Sequence, residues 1–217
     1  MELNIYIVGG GPQTELPLLS EWNEKNVLWV GVDKGVYILL KQGIIPERAF
    51  GDFDSVSQEE WEEIQQYAKQ INQYQPEKDE TDMELALNWA VKQNPDKIRI
   101  FGGTGGRLDH FMANIQLLIR TMNKEESIKI ELIDRKNRLN VFQPGHYTIE
   151  KLDSKRYISF FPVSQEVRGL TLSGFKYELI NHHISLGSTL CISNELIQFN
   201  GTFSFSDGIL LMVRSED

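Results

Sequence analysis

The feature that most constrains the fold is an alternation of strand-like and helix-like segments that ends near residue 134. Short apolar runs such as Asn4–Val8 and Lys97–Phe101 alternate with amphipathic stretches such as Ser57–Lys69, and we also expect a helix around Thr14–Glu24. Alternation of this kind is typical of a mainly parallel sheet that is covered by helices. We therefore predict an α/β domain over residues 1–134.

The rest of the chain, residues 135–217, shows no helical pattern. Its short segments are rich in β-branched and aromatic residues and are separated by Gly, Pro, Asn and Ser, which is typical of a small sandwich or barrel. We predict an all-β sandwich domain with these strands: Arg138–Phe142, Tyr147–Lys151, Tyr157–Phe161, Gly169–Leu172, Thr189–Ser193, Thr202–Ser206 and Ile209–Val213.

Composition narrows the class of protein. The net charge of −9 argues against a nucleic-acid binder, which usually carries a basic face. No apolar run approaches the roughly 20 residues of a membrane span. The acidic start and the single cysteine, Cys191, lead us to expect a protein of the reducing cytoplasm.

Two acidic segments follow predicted strands. Asp52 and Asp54 are two residues apart, so in an extended segment both would point to one face and could hold Mg²⁺; an Asx-turn is the alternative. Asp79 and Asp82 open a predicted helix, where they could share a face or simply cap it, with Asp79 as the cap. The neighbouring Lys78 could contact phosphate or be solvated.

A glycine-rich loop is the third element. Four glycines stand between Phe101 and Arg107, and a helix carrying Asp109 follows. Glycines allow backbone N–H groups to approach phosphate, and Arg107 can bind phosphate oxygens with two hydrogen bonds. A tight strand-to-helix turn is the alternative. His110 and Asn114 are one helical turn apart and could face the same cleft.

Asp33 follows the second predicted strand, in Val32-Asp33-Lys34-Gly35. An aspartate at this position could accept a hydrogen bond from a ribose or an adenine, or it could cap the following helix. The carboxyl ends of parallel strands meet at one edge of the sheet, so we expect all of these loops to lie together.

These motifs resemble those of the thiamine pyrophosphokinase family. The resemblance is carried in order by Gly51–Ser55, Lys78–Asp82 and Gly103–His110 with Asn114, and then by Gly169–Tyr177 and Ile192–Glu195. It implies an α/β domain joined to a β-sandwich, a homodimer, and a Mg²⁺-dependent reaction in which ATP and thiamine give thiamine diphosphate and AMP.

The resemblance also implies residue roles. Metal ligands and catalytic carboxylates would be Asp52, Asp54, Asp79 and Asp82, with Asp109 as a further catalytic residue. Thiamine would contact Ser193 and Asn194, and an aromatic stacking on it from the second half would be Phe203, Phe205 or Tyr177. ATP would contact Asp33, Gly35, Lys78, Thr81, Gly105, Arg107, His110 and Asn114.

Two other functions fit the same residues. A metal-dependent nucleotide phosphohydrolase would use these carboxylates with water as the nucleophile and would not need thiamine. A non-catalytic nucleotide- or ligand-sensing protein would not need several carboxylates converging on a polyphosphate.

Overall fold

The computed structural model describes residues 2–75, 77, 79–124 and 128–217. It contains two compact units, Met1–Arg135 and Lys136–Asp217. Throughout the described ranges, no helix is both long enough and apolar enough to cross a membrane.

The first unit alternates strands and helices. Its elements are β1 (Asn4–Val8), β2 (Val27–Val32), α1 (Lys34–Lys41), β3 (Arg48–Gly51), α2 (Gln58–Tyr67), β4 (Ile71–Gln73), α3 (Asp82–Val91), β5 (Lys97–Phe101), α4 (Leu108–Lys124) and β6 (Lys129–Ile133).

The six strands of this unit pair in parallel in the order β4-β3-β2-β1-β5-β6. The chain runs outward from β1 to β4 and then returns to the other side of β1. A switch point therefore lies between β1 and β5, which is where sheets of this kind bind ligands. All of β1 and nearly all of β5 is buried, as expected for central strands covered on both faces.

The helix boundaries follow local sequence rules. Ser57 and Glu60 form a reciprocal capping box at the start of α2, as the sequence predicts. The helix predicted around Thr14–Glu24 is wrong, because only two short 3₁₀ turns form there, Gln13–Glu15 and Leu19–Trp22. Pro17 explains the interruption, since it lacks the N–H group that a continuous helix would need.

The second unit contains seven strands: β7 (Asn137–Phe142), β8 (Gly145–Glu150), β9 (Tyr157–Pro162), β10 (Glu166–Ser173), β11 (Leu179–Ser185), β12 (Asn200–Phe205) and β13 (Leu210–Ser215). They form two antiparallel arrays, β7-β13-β9 and β11-β10-β12-β8. Side chains from both arrays share one core, which includes Phe160, Leu172, Phe203 and Met212.

The predicted fold class, a parallel α/β part followed by antiparallel β structure, is confirmed. One predicted strand is wrong, because Thr189–Ser193 consists mostly of turns. The structure instead has the edge strand β11, which the sequence does not reveal because its centre is the polar run Asn181-His182-His183.

Candidate functional site

Three carboxylates meet at the carboxyl edge of the first unit's sheet. Asp33 follows β2, Asp52 follows β3, and Asp82 is the first residue of α3. Each offers an oxygen that lies within 4.8 Å of the oxygens of the other two, and all three residues are half-buried. We call Asp33, Asp52 and Asp82 the carboxylate trio.

The backbone at Asp33 is strained. Its φ of 48° and ψ of −123° lie in a region that residues other than glycine rarely adopt. Its N–H donates a 2.9 Å hydrogen bond to the Phe50 carbonyl oxygen, which ties the end of β2 to β3. A Cβ at Gly51 would lie only 2.1 Å from Asp33 Oδ1, so glycine is required for this close approach.

The loop after β3 is a turn and not the extended segment that the sequence suggested. Phe53 has a φ of 60° and buries its ring 4.7 Å from that of Trp61. Asp52 Oδ1 accepts a 3.1 Å hydrogen bond from the Asp54 N–H, which is the geometry of an Asx-turn. As a result Asp52 joins the trio, whereas Asp54 is exposed and does not.

The start of α3 is capped by Thr81 and not by Asp79. Thr81 Oγ1 accepts a 3.1 Å hydrogen bond from the Glu84 N–H. The alternative in which Asp79 caps this helix is therefore wrong. Asp79 is exposed and lies outside the trio, and Lys78 falls outside the described residues.

Glycines pack the loops of the switch point against each other. The Gly9 N–H donates to the Phe101 carbonyl oxygen at 2.8 Å, and the Gly11 N–H donates to the Gly102 carbonyl oxygen at 3.0 Å. At Gly35, in the first turn of α1, a Cβ would stand 1.9 Å from the Val8 carbonyl oxygen. Close packing thus explains why residue 35 is glycine. Its predicted contact with a nucleotide stays a prediction.

Hydrogen bonds of buried polar side chains hold the glycine-rich loop in place. Asn114 Nδ2 donates a 2.9 Å hydrogen bond to the Gly103 carbonyl oxygen, and Thr104 Oγ1 donates a 2.7 Å bond to Asp134 Oδ2. Thr104 and Asp134 are not among the site residues that the sequence predicts, although Asp134 also directly follows a strand of the sheet. Gly105, at the tip of the loop, is exposed with a φ of 77°.

Arg107 and Asp109 bind each other through two hydrogen bonds, of 3.1 Å and 2.5 Å. The bond from Arg107 lowers the pKa of the Asp109 carboxyl to about 2, with help from the His110 N–H. Both side chains are well exposed, at 71% and 64%, so they are accessible to a ligand. His110 is exposed as well.

In the second unit, Asn194 holds the backbone of Tyr177. The buried Asn194 side chain accepts from the Tyr177 N–H at 3.0 Å and donates to the Tyr177 carbonyl oxygen at 2.8 Å. The Tyr177 side chain is 60% exposed, and Ser193 beside Asn194 is exposed too. Phe203 and Phe205 are buried in the core, so of the three predicted stacking aromatics these two are excluded.

A parallel sheet with a carboxylate trio at its carboxyl edge, and a glycine-rich loop at its switch point, is typical of enzymes that act on phosphate compounds. Matches to two protein-family models narrow the class of enzyme. Residues 19–132 match the thiamin pyrophosphokinase catalytic domain, and residues 146–210 match the thiamin pyrophosphokinase vitamin B1 binding domain.

Relatives agree with these matches over the whole chain. The thiamine pyrophosphokinase of Bacillus subtilis is 55% identical over 213 residues, covering 98% of this chain and 99% of the relative. The crystal structure of thiamine pyrophosphokinase from Bacillus subtilis has a TM-score of 0.94 at 54% identity, covering 99% of both chains. That of the Geobacillus thermodenitrificans enzyme has a TM-score of 0.91 at 51% identity, covering 99% of this chain and 98% of that one.

The chain therefore belongs to the thiamine pyrophosphokinase family, and the predicted resemblance is confirmed. The prediction that it is an enzyme of the transferase and kinase type is confirmed with it.

Proposed function

We propose that this chain transfers the pyrophosphoryl group of ATP to the hydroxyl group of thiamine, giving thiamine diphosphate and AMP, with Mg²⁺ as the cofactor. The observation that supports this most directly is the carboxylate trio, in a chain that matches this family from end to end. The reaction asks for little covalent chemistry from the protein, so positioning and charge neutralisation supply most of the catalysis.

The trio fits a hard divalent cation. Its members offer carboxylate oxygens within 4.8 Å of one another, and oxygen is the ligand that Mg²⁺ prefers. When bound there, Mg²⁺ would neutralise the charge of a polyphosphate in a protein whose net charge is −9. Asp33 joins Asp52 and Asp82 in this proposal, and metal roles for Asp54 and Asp79 stay predictions.

The rest of the first unit would hold the triphosphate. Backbone N–H groups of the glycine-rich loop are suited to phosphate oxygens, and the exposed Arg107 can bind them with its planar fork. Arg107 would then give up its hydrogen bonds to Asp109 and donate them to phosphate oxygens. Asn114 would act on the nucleotide through Gly103, whose carbonyl oxygen it holds.

The second unit would hold thiamine. Tyr177 presents an exposed ring on a backbone fixed by Asn194, and the Ser193 hydroxyl is available beside it. Asn194 would thus contribute mainly by fixing Tyr177, since its side chain already makes hydrogen bonds within the protein. We further propose that the enzyme works as a homodimer in the cytoplasm, without nucleic-acid or membrane partners.

Removal of the metal tests the proposal. With ATP and thiamine present, we expect EDTA to abolish formation of thiamine diphosphate and added Mg²⁺ to restore it. A reaction in EDTA that matches the rate in Mg²⁺ would contradict the metal-dependent mechanism. Calcium-loaded EDTA is the control for effects of the chelator itself.

A further inference from the structure

We propose that Arg120 is a positioning residue, which holds α3 so that Asp82 stays in the carboxylate trio and can share a metal ion. This inference rests on the proposed function, because it assigns to Arg120 a part in the metal site. Arg120 itself does not touch the trio.

Arg120 binds two successive turns of α3. From its place on α4 it donates through Nη1 to Glu84 Oε1 and through Nη2 to Asn88 Oδ1, the second bond being 3.0 Å long. Glu84 and Asn88 are four residues apart and so lie one above the other on the helix. A guanidinium that holds both therefore fixes the rotation of α3 about its axis as well as its position along it.

Besides these two hydrogen bonds, α3 contacts the sheet through Trp89, whose ring lies beside Phe50 and Arg48, and through apolar packing. Its buried side chains are Met83, Ala86, Leu87 and Ala90, and apolar packing of this kind depends on buried area more than on orientation. Hydrogen bonds, in contrast, weaken steeply when their angle changes. The Arg120 bonds therefore add a directional restraint on rotation of α3 to the restraint that its packing supplies.

Position matters at this end of α3 because the trio repels itself. Three carboxylates with oxygens within 4.8 Å of one another repel each other, and a cation bound among them would reduce that repulsion. Asp82 and Glu84 lie in the same first turn, which Thr81 closes through the Glu84 N–H. A restraint on Glu84 is therefore a restraint on Asp82, two residues away.

Helix α4, which carries Arg120, also supports the glycine-rich loop. Asn114, on α4, binds the Gly103 carbonyl oxygen, and Arg120 lies further along α4. Through these two side chains α4 holds both α3 and the glycine-rich loop. This arrangement fixes the position of the trio relative to the glycine-rich loop before any substrate binds.

The test measures metal affinity without substrates. Binding of Mn²⁺ is followed by electron paramagnetic resonance in the full-length wild type, Arg120→Gln, Arg120→Lys and Asn88→Ala. We expect Arg120→Gln to weaken Mn²⁺ binding about tenfold, which is the lower end of the loss measured when a group that orients a metal ligand is removed. Arg120→Lys can hold only one of the two acceptors well and should fall in between, and Asn88→Ala should lose less than Arg120→Gln.

The matched control is Lys69→Gln, which removes an ion pair with Glu47 in the same unit but does not involve α3. It should bind Mn²⁺ as the wild type does. Wild-type Mn²⁺ affinity in Arg120→Gln would overturn the inference, even if that variant were less stable. No Mn²⁺ binding by the wild type would instead overturn the metal part of the proposed function, and the inference with it.

Discussion

At the scale of single residues, the proposed metal site at the trio would allow an acidic protein to act on an anionic substrate. Asp33 is the most informative member, because its backbone is strained and its Oδ1 lies only 2.1 Å from the position that a Cβ at Gly51 would occupy. Strain of this kind persists where surrounding structure enforces it, often at functional sites. Asp33 is therefore a ligand for the metal in our account, and not only a contact for ribose or adenine.

Neutralising one carboxylate of the trio should affect activity far more than stability. We expect Asp52→Asn and Asp82→Asn each to lower kcat about 100-fold or more, because a lost metal ligand removes stabilisation of charge in the transition state. Stability should change little or increase, since one of three repelling charges is gone. Steady-state kinetics and urea unfolding measure the two effects.

The matched control for these variants is Asp153→Asn, which neutralises an exposed aspartate of the second unit and should change neither quantity. Wild-type turnover in both trio variants would contradict a metal role for the trio.

The pKa of Asp109 leads to a prediction about pH. Because Arg107 holds that pKa at about 2, Asp109 is ionised throughout the neutral and mildly acidic range. Its pairing with Arg107 favours the folded state above the unfolded pKa of about 4, and this contribution is lost as pH falls toward 2. Since both groups are exposed, the effect on stability should be small.

While Arg107 is bound to it, the Asp109 carboxyl does not change its charge near neutral pH. We therefore expect Asp109→Asn to leave the acidic limb of the kcat/KM profile at the wild-type pH, whatever its effect on the rate. Arg107→Gln should raise the pKa of Asp109 toward the ordinary value, which NMR titration can measure. Disappearance of the acidic limb in Asp109→Asn would show that Asp109 titrates in that range and would contradict its low pKa.

The sequence places these residues in loops, but it does not always show which of them lie together in the site. It located the loops of Asp33, Asp52 and Asp82 because each borders a strand or opens a helix that its pattern reveals. It could not tell Asp33 from Asp54, because the choice depends on the φ of Phe53, which turns Asp54 away, and on the close approach at Gly51. Neither property is local to the residue concerned.

At the scale of elements, the packing of α1 against β1 depends on Gly35. A Cβ there would meet the Val8 carbonyl oxygen at 1.9 Å, and neither backbone can move without disturbing the sheet. We expect Gly35→Ala to lower the free energy of unfolding by about 3 kcal/mol. Urea unfolding followed by circular dichroism provides the measurement.

Gly106→Ala is the comparison for Gly35→Ala. Its Cβ would meet only Pro12 Cδ at 3.6 Å, which is ordinary contact, and stability should stay near that of the wild type. Equal stability of both variants would show that the switch-point loops are looser than described.

The elements also show where local rules are enough. The capping box of α2 and the central strands follow directly from sequence. At the start of α3 local rules are not enough, because Asp79 and Thr81 are both good helix caps. Only the hydrogen bond between Thr81 and the Glu84 N–H shows that Thr81 is the cap. Strand β11 was missed because an edge strand does not need an apolar pattern.

At the scale of the whole molecule, the second unit exposes several large apolar side chains within one stretch of the sequence. Seven large apolar side chains of this unit are exposed, all between Tyr177 and Phe199, and Ile180 on the edge strand β11 is 86% exposed. Exposed apolar surface and an open strand edge are typical of association surfaces. Together with the family resemblance, they support the proposed homodimer.

We expect sedimentation at micromolar protein to show a dimer for the wild type and a shift toward monomer for Ile180→Lys, because a buried charge without a partner opposes association. Leu18→Lys, at an exposed apolar residue of the first unit, should remain dimeric. A wild type that is monomeric at every concentration would refute the dimer.

The central claim, transfer of a pyrophosphoryl group to thiamine, is tested most directly by following both phosphates. The enzyme is incubated with Mg²⁺, thiamine and ATP labelled separately at the β- and γ-phosphates, and the products are separated. Our account predicts that both labels appear together in thiamine diphosphate, with one AMP formed per thiamine diphosphate and no turnover when thiamine is omitted. Formation of ADP with thiamine monophosphate, or thiamine-independent release of phosphate from ATP as the main reaction, would contradict it.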